Sequence, residues 1–332
     1  MSHELFGERF YGKQRKPAWH GLGRVIDTPM TAEAAFDLMG AYDIHAEKVY
    51  LHDGGTVPAQ AIIRDATSDA VAKVIGVVGP DFMPVGPRTT CQVFDAKVAQ
   101  AVETIGALRD GETLFISTKL PSIDIRGDEV EMYILLVNPM GGGEAIQIRT
   151  TPVRVVCMNT LNMAQSMSTQ LFKVRHDINA LSNMGGWLGG VMEKAAGQVA
   201  MMKEALEILA DFKVTDAVAG EVLLRTYPEP RDPRNTAPKE VMVKRYEHRE
   251  YIAQRRAVTR ETVMSLYHGA GTGMNMPQTA GTAYGLFNAV AEYEDNAWSK
   301  NTKAALESAV FGDRADSKIV CFDNLLELAK AR

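Results

Sequence analysis

The sequence predicts an α+β fold: an antiparallel β-meander followed by a helix in the N-terminal half, and a mostly helical C-terminal half. Residues 113–157 hold three dense apolar or alternating runs joined by short connections, the pattern of a meander. From about residue 185 the apolar positions recur at spacings of three and four, the helical period. The chain has 332 residues, 46% hydrophobic and 23% charged, which is enough apolar material for a large core and rules out wholesale disorder.

Residues 1–185 are expected to form the α+β domain, with an N-terminal arm. The first thirty residues, rich in glycine and aromatics and carrying Lys13, Arg15 and Lys16, read as an arm or irregular cap. Thr31 is placed to cap a short helix running to residue 40. Strands are expected at 47–52, 57–64 and 71–78, between Gly, Asp and Ser turn signals. Val93, Phe94, Val98, Ala101, Val102 and Ile105 form a helical stripe across 89–106. In the meander, 113–120 alternates, 130–138 is almost wholly apolar, as for a central strand covered on both faces, and 145–157 returns from the Pro139–Gly143 turn. A helix starting near Asn159 or Thr160 would complete a β-β-β-α unit.

Residues 186–332 read as a helical region. Met192, Ala195, Val199, Met202, Leu206 and Leu209 form a seam that is either coiled-coil-like or the core face of an amphipathic helix. Residues 227–238 hold four prolines in twelve residues and must be a loop or linker. A long charged helix is expected over 240–268, a flexible Gly/Thr/Met stretch over 269–281, a helix over 282–299 and a last short one at 325–328.

Net charge is −5 and the pI about 5.9, unlike a protein that coats nucleic acid over its whole surface. Local charge can still differ from the sum. Cys91, Cys157 and Cys321 lack paired spacing, which argues against a disulfide framework or a structural zinc site and fits a reducing cytoplasm. No apolar leader and no run of about 20 apolar residues is present, so no membrane segment is expected. No cofactor and no metal are expected either.

The segment 146–162 is the main binding candidate. Apolar residues fall on even positions before Pro152 (Ile146, Ile148) and on odd ones after it (Val153, Val155, Cys157), so a β-bulge near Thr151–Pro152 is expected. Such a bulge would gather Gln147, Arg149 and Arg154 on one face, where Phe115, Ser117 and Lys119 could join them. Cations and an aromatic together suit a single-stranded nucleic acid, with charge for phosphates and rings for stacking. Taken singly, each arginine reads better as an ordinary solvent-facing strand residue or as one paired with Glu112, Glu129 or Glu131. The second candidate is 229–260, with nine basic and five acidic residues, including Arg245, Arg249 and Arg256 with Tyr246 interleaved. It reads either as a solvated helix face or as a phosphate contact.

No phosphate loop is expected at Gly269–Gly273, where Met274 replaces the third glycine of GxGxxG. His20 reads as part of a packed arm, Cys157 as a buried structural thiol, and Glu292 with Asp295 as a weak carboxylate pair. No catalytic residue is assigned.

Three segments carry a family resemblance: Pro17–Gly23 (PAWHGLG), Val153–Leu161 (VRVVCMNTL) and Gly281–Tyr293 (GTAYGLFNAVAEY) with Asp295-Asn296. Together they resemble the phage/plasmid-like protein family of unknown function, found mainly in phages, prophages and plasmids. The resemblance implies a mobile-element origin and no particular chemistry. The meander feeding a helix is also similar in topology to the core of Rad52-like single-strand annealing proteins. The expectation is therefore a non-enzymatic, cytoplasmic protein binding single-stranded nucleic acid, with strand annealing as a homo-oligomer its extended form. The alternatives are a metal-dependent enzyme acting on nucleotides or nucleic acid, and a protein-interaction factor such as a host-defence inhibitor using the Met192–Leu209 seam or the Met274–Met276 loop.

Overall fold

In the computed structural model, residues 5–12, 24–25, 28–154, 159–160, 170–234, 236, 238–296 and 313–331 are described. The strands are β1 (Leu5–Gly12), β2 (Arg24–Val25), β3 (Ile44–Tyr50), β4 (Thr56–Arg64), β5 (Lys73–Val78), β6 (Thr104–Leu108), β7 (Thr113–Ile125), β8 (Asp128–Pro139), β9 (Ile146–Arg154), β10 (Asn159–Thr160) and β11 (Gln170–Val174). The helices are α1 (Ala32–Leu38), α2 (Pro87–Val98), α3 (Ala180–Leu188), α4 (Val191–Asp211), α5 (Asp216–Thr226), α6 (Lys239–Ser265), α7 (Ala283–Asn296) and α8 (Asp313–Lys330). The large sheet runs β10-β9-β8-β7-β6-β1-β2, with β11 also on β9, and β3-β4-β5 form a separate sheet. The β7-β8-β9 meander is antiparallel throughout, and the fold is α+β.

One face of the large sheet builds the core. Leu114, Ile116 and Leu120 of β7 lie beside Met132, Ile134 and Leu136 of β8 and Ile148 of β9. Ala195, Met202, Leu206 and Leu209 of α4, Leu286 and Val290 of α7, and Phe322 and Leu325 of α8 belong to the same cluster. The core is therefore shared across residue 185, where the sequence changes texture but the packing continues.

Several elements differ from expectation. The register of β9 on β8 is unbroken from Gln147 opposite Val137 to Arg154 opposite Val130, so no bulge lies at Thr151–Pro152. Pro152 pairs with Met132, and on its other side β9 passes from β11, which ends its pairing at Arg149, to β10, which starts at Val153. Among the described residues no strand pairs with Pro152 on that side, where a missing N–H is tolerated. The one-residue bulge lies on β7 instead: Leu120 opposes Met132 while Ile123 opposes Val130. Pro121 and Ser122 take up the extra residue, and the core positions change from Leu120 to Ile123 and Ile125.

Asn159 and Thr160 do not start a helix but pair back onto Arg154 and Val153 as β10. The N-terminal segment 5–12 is a strand between β6 and β2 rather than an irregular cap. The stripe over 89–106 mixes two elements: α2 ends at Val98, Ala99 turns left-handed at φ 52°, and Ile105 is a strand residue opposite Ile116. Thr31 caps α1 as expected, accepting the Ala34 N–H at 3.2 Å.

The small sheet is clamped to the large one. Gly76 of β5 packs backbone to backbone on Gly141 in the β8–β9 turn, where a Cβ on Gly76 would fall 1.8 Å from the Gly141 carbonyl oxygen. Arg64 of β4 is buried and donates to the carbonyls of Asp110, Asp65 and Val71 at 2.9, 2.8 and 2.6 Å.

Candidate nucleic-acid interface

The meander brings most of the first candidate set onto one sheet face. Opposed residues share a face, giving the rows Phe115–Val137–Gln147, Ser117–Leu135–Arg149 and Lys119–Tyr133–Thr151. That face is packed rather than open. Phe115 is 4% exposed, with Leu135 and Val137 equally buried, so no free ring is presented there. Lys119 pairs with Glu131, which also accepts from the Tyr133 hydroxyl at 2.5 Å. Arg149 donates to Gln147, and burial pushes its guanidinium pKa down. Arg154 ends β9, and its side chain lies outside the described residues. Five positions from Arg149 on an unbroken strand, residue 154 has the opposite parity, so the register does not gather the two arginines.

The second candidate stands open. Helix α6 has 27 residues, roughly 40 Å at 1.5 Å per residue. Its buried residues are Met242, Thr259 and Val263, so most of its N-terminal two-thirds stands off the core. At 3.6 residues per turn, Lys244, His248, Tyr251 and Arg255 fall in one line, spaced four, three and four. The Tyr251 ring lies 6.4 Å from that of His248 and 5.8 Å from the Arg255 guanidinium, which also donates to its hydroxyl at 3.1 Å. Tyr251 is 52% exposed. Beside this stripe runs a groove of about 540 Å³ between α6 and the proline-rich segment, lined by Arg231, Lys244, Arg245, His248 and Arg249 with Pro230, Pro233, Val241 and Ile252. Among the described residues, Arg231, Lys244 and Arg245 pair with no carboxylate.

The expected α6 residues divide by direction. Arg245 lines the groove. Arg249 is engaged by Asp232 at 2.9 Å and Glu250 at 2.5 Å. Arg256 donates to the Pro228 carbonyl, and Arg260 pairs with Glu229 at 2.5 Å, so the proline-rich segment is strapped along the helix. Tyr246 is exposed but on nearly the opposite side from the stripe. Lys244, His248, Tyr251, Arg255 and Arg231 belong to the basic segment read from the sequence but were not assigned there as individual contacts. The four on the helix could have been found by reading their spacing as one face.

Some of the residues named for the alternatives are engaged within the fold. Glu292 accepts the Thr272 N–H at 2.9 Å and its hydroxyl at 3.1 Å, closing the 269–273 loop, while Asp295 holds the ammonium of buried Lys318 at 2.5 Å. The two carboxylates serve different partners and do not form a metal pair. The Met192–Leu209 seam is a core stripe, with Ala195, Met202, Leu206 and Leu209 buried, and Met274 is buried as well. Cys91 and Cys321 are buried thiols whose pKa values burial raises, and Cys157 and His20 lie outside the described residues. No helix among the described residues is long and apolar enough to cross a membrane.

Residues 74–311 match the family described as Domain of unknown function (DUF932). No curated protein and no solved structure matches the chain.

Proposed function

The chain belongs to DUF932, a domain of unknown function, and from that premise we propose that it binds single-stranded nucleic acid along the exposed stripe of α6. The observation that carries this reading is the line Lys244–His248–Tyr251–Arg255 beside a groove with five basic side chains. Lys244, Arg245 and Arg231 meet phosphates, and Tyr251, half-exposed with a second ring and a guanidinium nearby, offers a stacking surface for a base. The stripe spans about 17 Å from residue 244 to 255. A straight, sequence-indifferent array of this kind suits an unpaired strand, whose bases are free to stack. The resemblance to mobile-element proteins supports a role in handling strands of such an element. Annealing by a homo-oligomer is the narrower form of the same reading.

The test is binding of a fluorescein-labelled oligonucleotide across a salt series. Wild-type affinity is expected to fall with ionic strength. Lys244→Ser/Arg245→Ser weakens binding and reduces the log–log salt slope by about 1.4, two phosphate contacts at roughly 0.7 each. Absence of binding by wild type at low salt would end this proposal.

A further inference from the structure

We infer that a second base-stacking platform lies at the β11 edge of the large sheet, formed by Trp187 on Phe172 and flanked by Lys97 and Lys194. The inference rests on the single-strand reading above and assigns it a further contact. Three buried Phe/Tyr pairs pack edge to face: Phe36–Tyr42, Tyr227–Tyr293 and Phe287–Phe322 have interplanar angles of 62°, 76° and 69°. Phe172 and Trp187 instead stack at 5.4 Å and 22°, and they do so at the surface. The Lys194 ammonium stands 4.1 Å from the centroid of Phe172, so that ring is engaged by both neighbours. Trp187, 37% exposed, carries the remaining accessible ring surface of the stack.

The surroundings suit a nucleotide. Lys97 of α2 reaches Gly185, two residues before Trp187, with its Cε 3.9 Å from where a Cβ on that glycine would stand. Among the described residues neither Lys97 nor Lys194 pairs with a carboxylate. An exposed indole with Lys194 on the adjoining Phe172 ring and Lys97 beside its helix matches one base and a neighbouring phosphate. The ligand class is an unpaired nucleotide within a strand, recognised without sequence preference.

The experiment compares a short oligothymidylate with an abasic phosphodiester strand of equal length and charge. Wild type is expected to favour the base-bearing strand by roughly tenfold or more. Trp187→Leu should lose a large part of that preference while leaving abasic affinity unchanged, and Trp187→Phe, which keeps a ring, should restore much of it. Lys244→Ser/Arg245→Ser should weaken both strands alike. Circular dichroism on each variant confirms folding, and the Phe variant keeps the test decisive if the Leu variant fails to fold. If wild type binds neither strand, the parent reading falls and the platform with it. If wild type binds the strands equally, base stacking at both Tyr251 and Trp187 is overturned and only phosphate contact remains; if both Trp187 variants keep the full wild-type preference, the platform alone is overturned.

Discussion

His176 is buried against Phe82, with ring centroids 4.7 Å apart, and burial lowers its pKa from 6.5 to about 4. The sign follows from which state binds the proton. Between about 4 and 6.5 the unfolded chain takes it up and the folded one does not, so stability is complete above the unfolded value and falls as pH drops through the folded one. The expected loss is about 3 kcal/mol. Urea titrations at neutral pH and near the lower bound should show it, and His176→Leu should flatten the difference. Asp232 poses a different question, because it neutralises Arg249 from the proline-rich strap. Asp232→Asn is expected to raise oligonucleotide affinity by roughly threefold. An unchanged affinity would mean that Arg249 stays outside the interface.

Elements succeed or fail here by how they meet their neighbours. The β5 strand and the β8–β9 turn touch through glycine backbones, so Gly76→Ala forces the Gly141 peptide to move. A cost of about 1–3 kcal/mol is expected in urea unfolding. Gly79→Ala, with open space at its Cβ, is expected to stay within about 0.5 kcal/mol of wild type. Strand existence and type were legible in β3, β4, β5 and the meander, because each is a short alternating or apolar run between turn residues. The bulge was legible in kind but assigned to the wrong strand. A proline next to a parity change signals a bulge, and both β7 and β9 carry that sign. Only pairing distinguishes them, since β9 keeps an unbroken register on β8 through Pro152 while β7 has a register slip at Pro121. The α5 helix was missed because Gly220 interrupts a short pattern of modest amphipathicity. For the site, composition pointed to the basic segment, but the direction of each side chain came from the helix and its strap.

At the scale of the molecule, the sheet and the C-terminal helices bury one core between them, and α7 is covered along nearly its whole length. Lys318 of α8, 0% exposed, is tied to Asp295 of α7 at 2.5 Å, a charge pair inside that core. Lys318→Met leaves Asp295 buried without its ammonium and is expected to cost about 3–5 kcal/mol of global stability by urea denaturation. The double variant Lys318→Met/Asp295→Leu should recover much of this, which would separate loss of a charge partner from loss of packing. The sheet-then-helices order was legible from periodicity. Their common core was not, because no local pattern reports which helix face meets which sheet face.

The ion pairs between the strap and α6 also bear on time. Glu229 and Asp232 stay covalently tethered beside Arg260 and Arg249 whether or not a ligand is bound. A phosphate arriving there exchanges with a carboxylate that remains nearby at an effective concentration in the millimolar range, as for short linkers. A contact at Arg249 can then be replaced without first leaving a bare cation, which lowers the barrier to release there, while among the described residues Arg231, Lys244 and Arg245 have no such carboxylate. On the proposed reading, the strap would shorten the residence time of a strand as well as lower its affinity, by competing for Arg249.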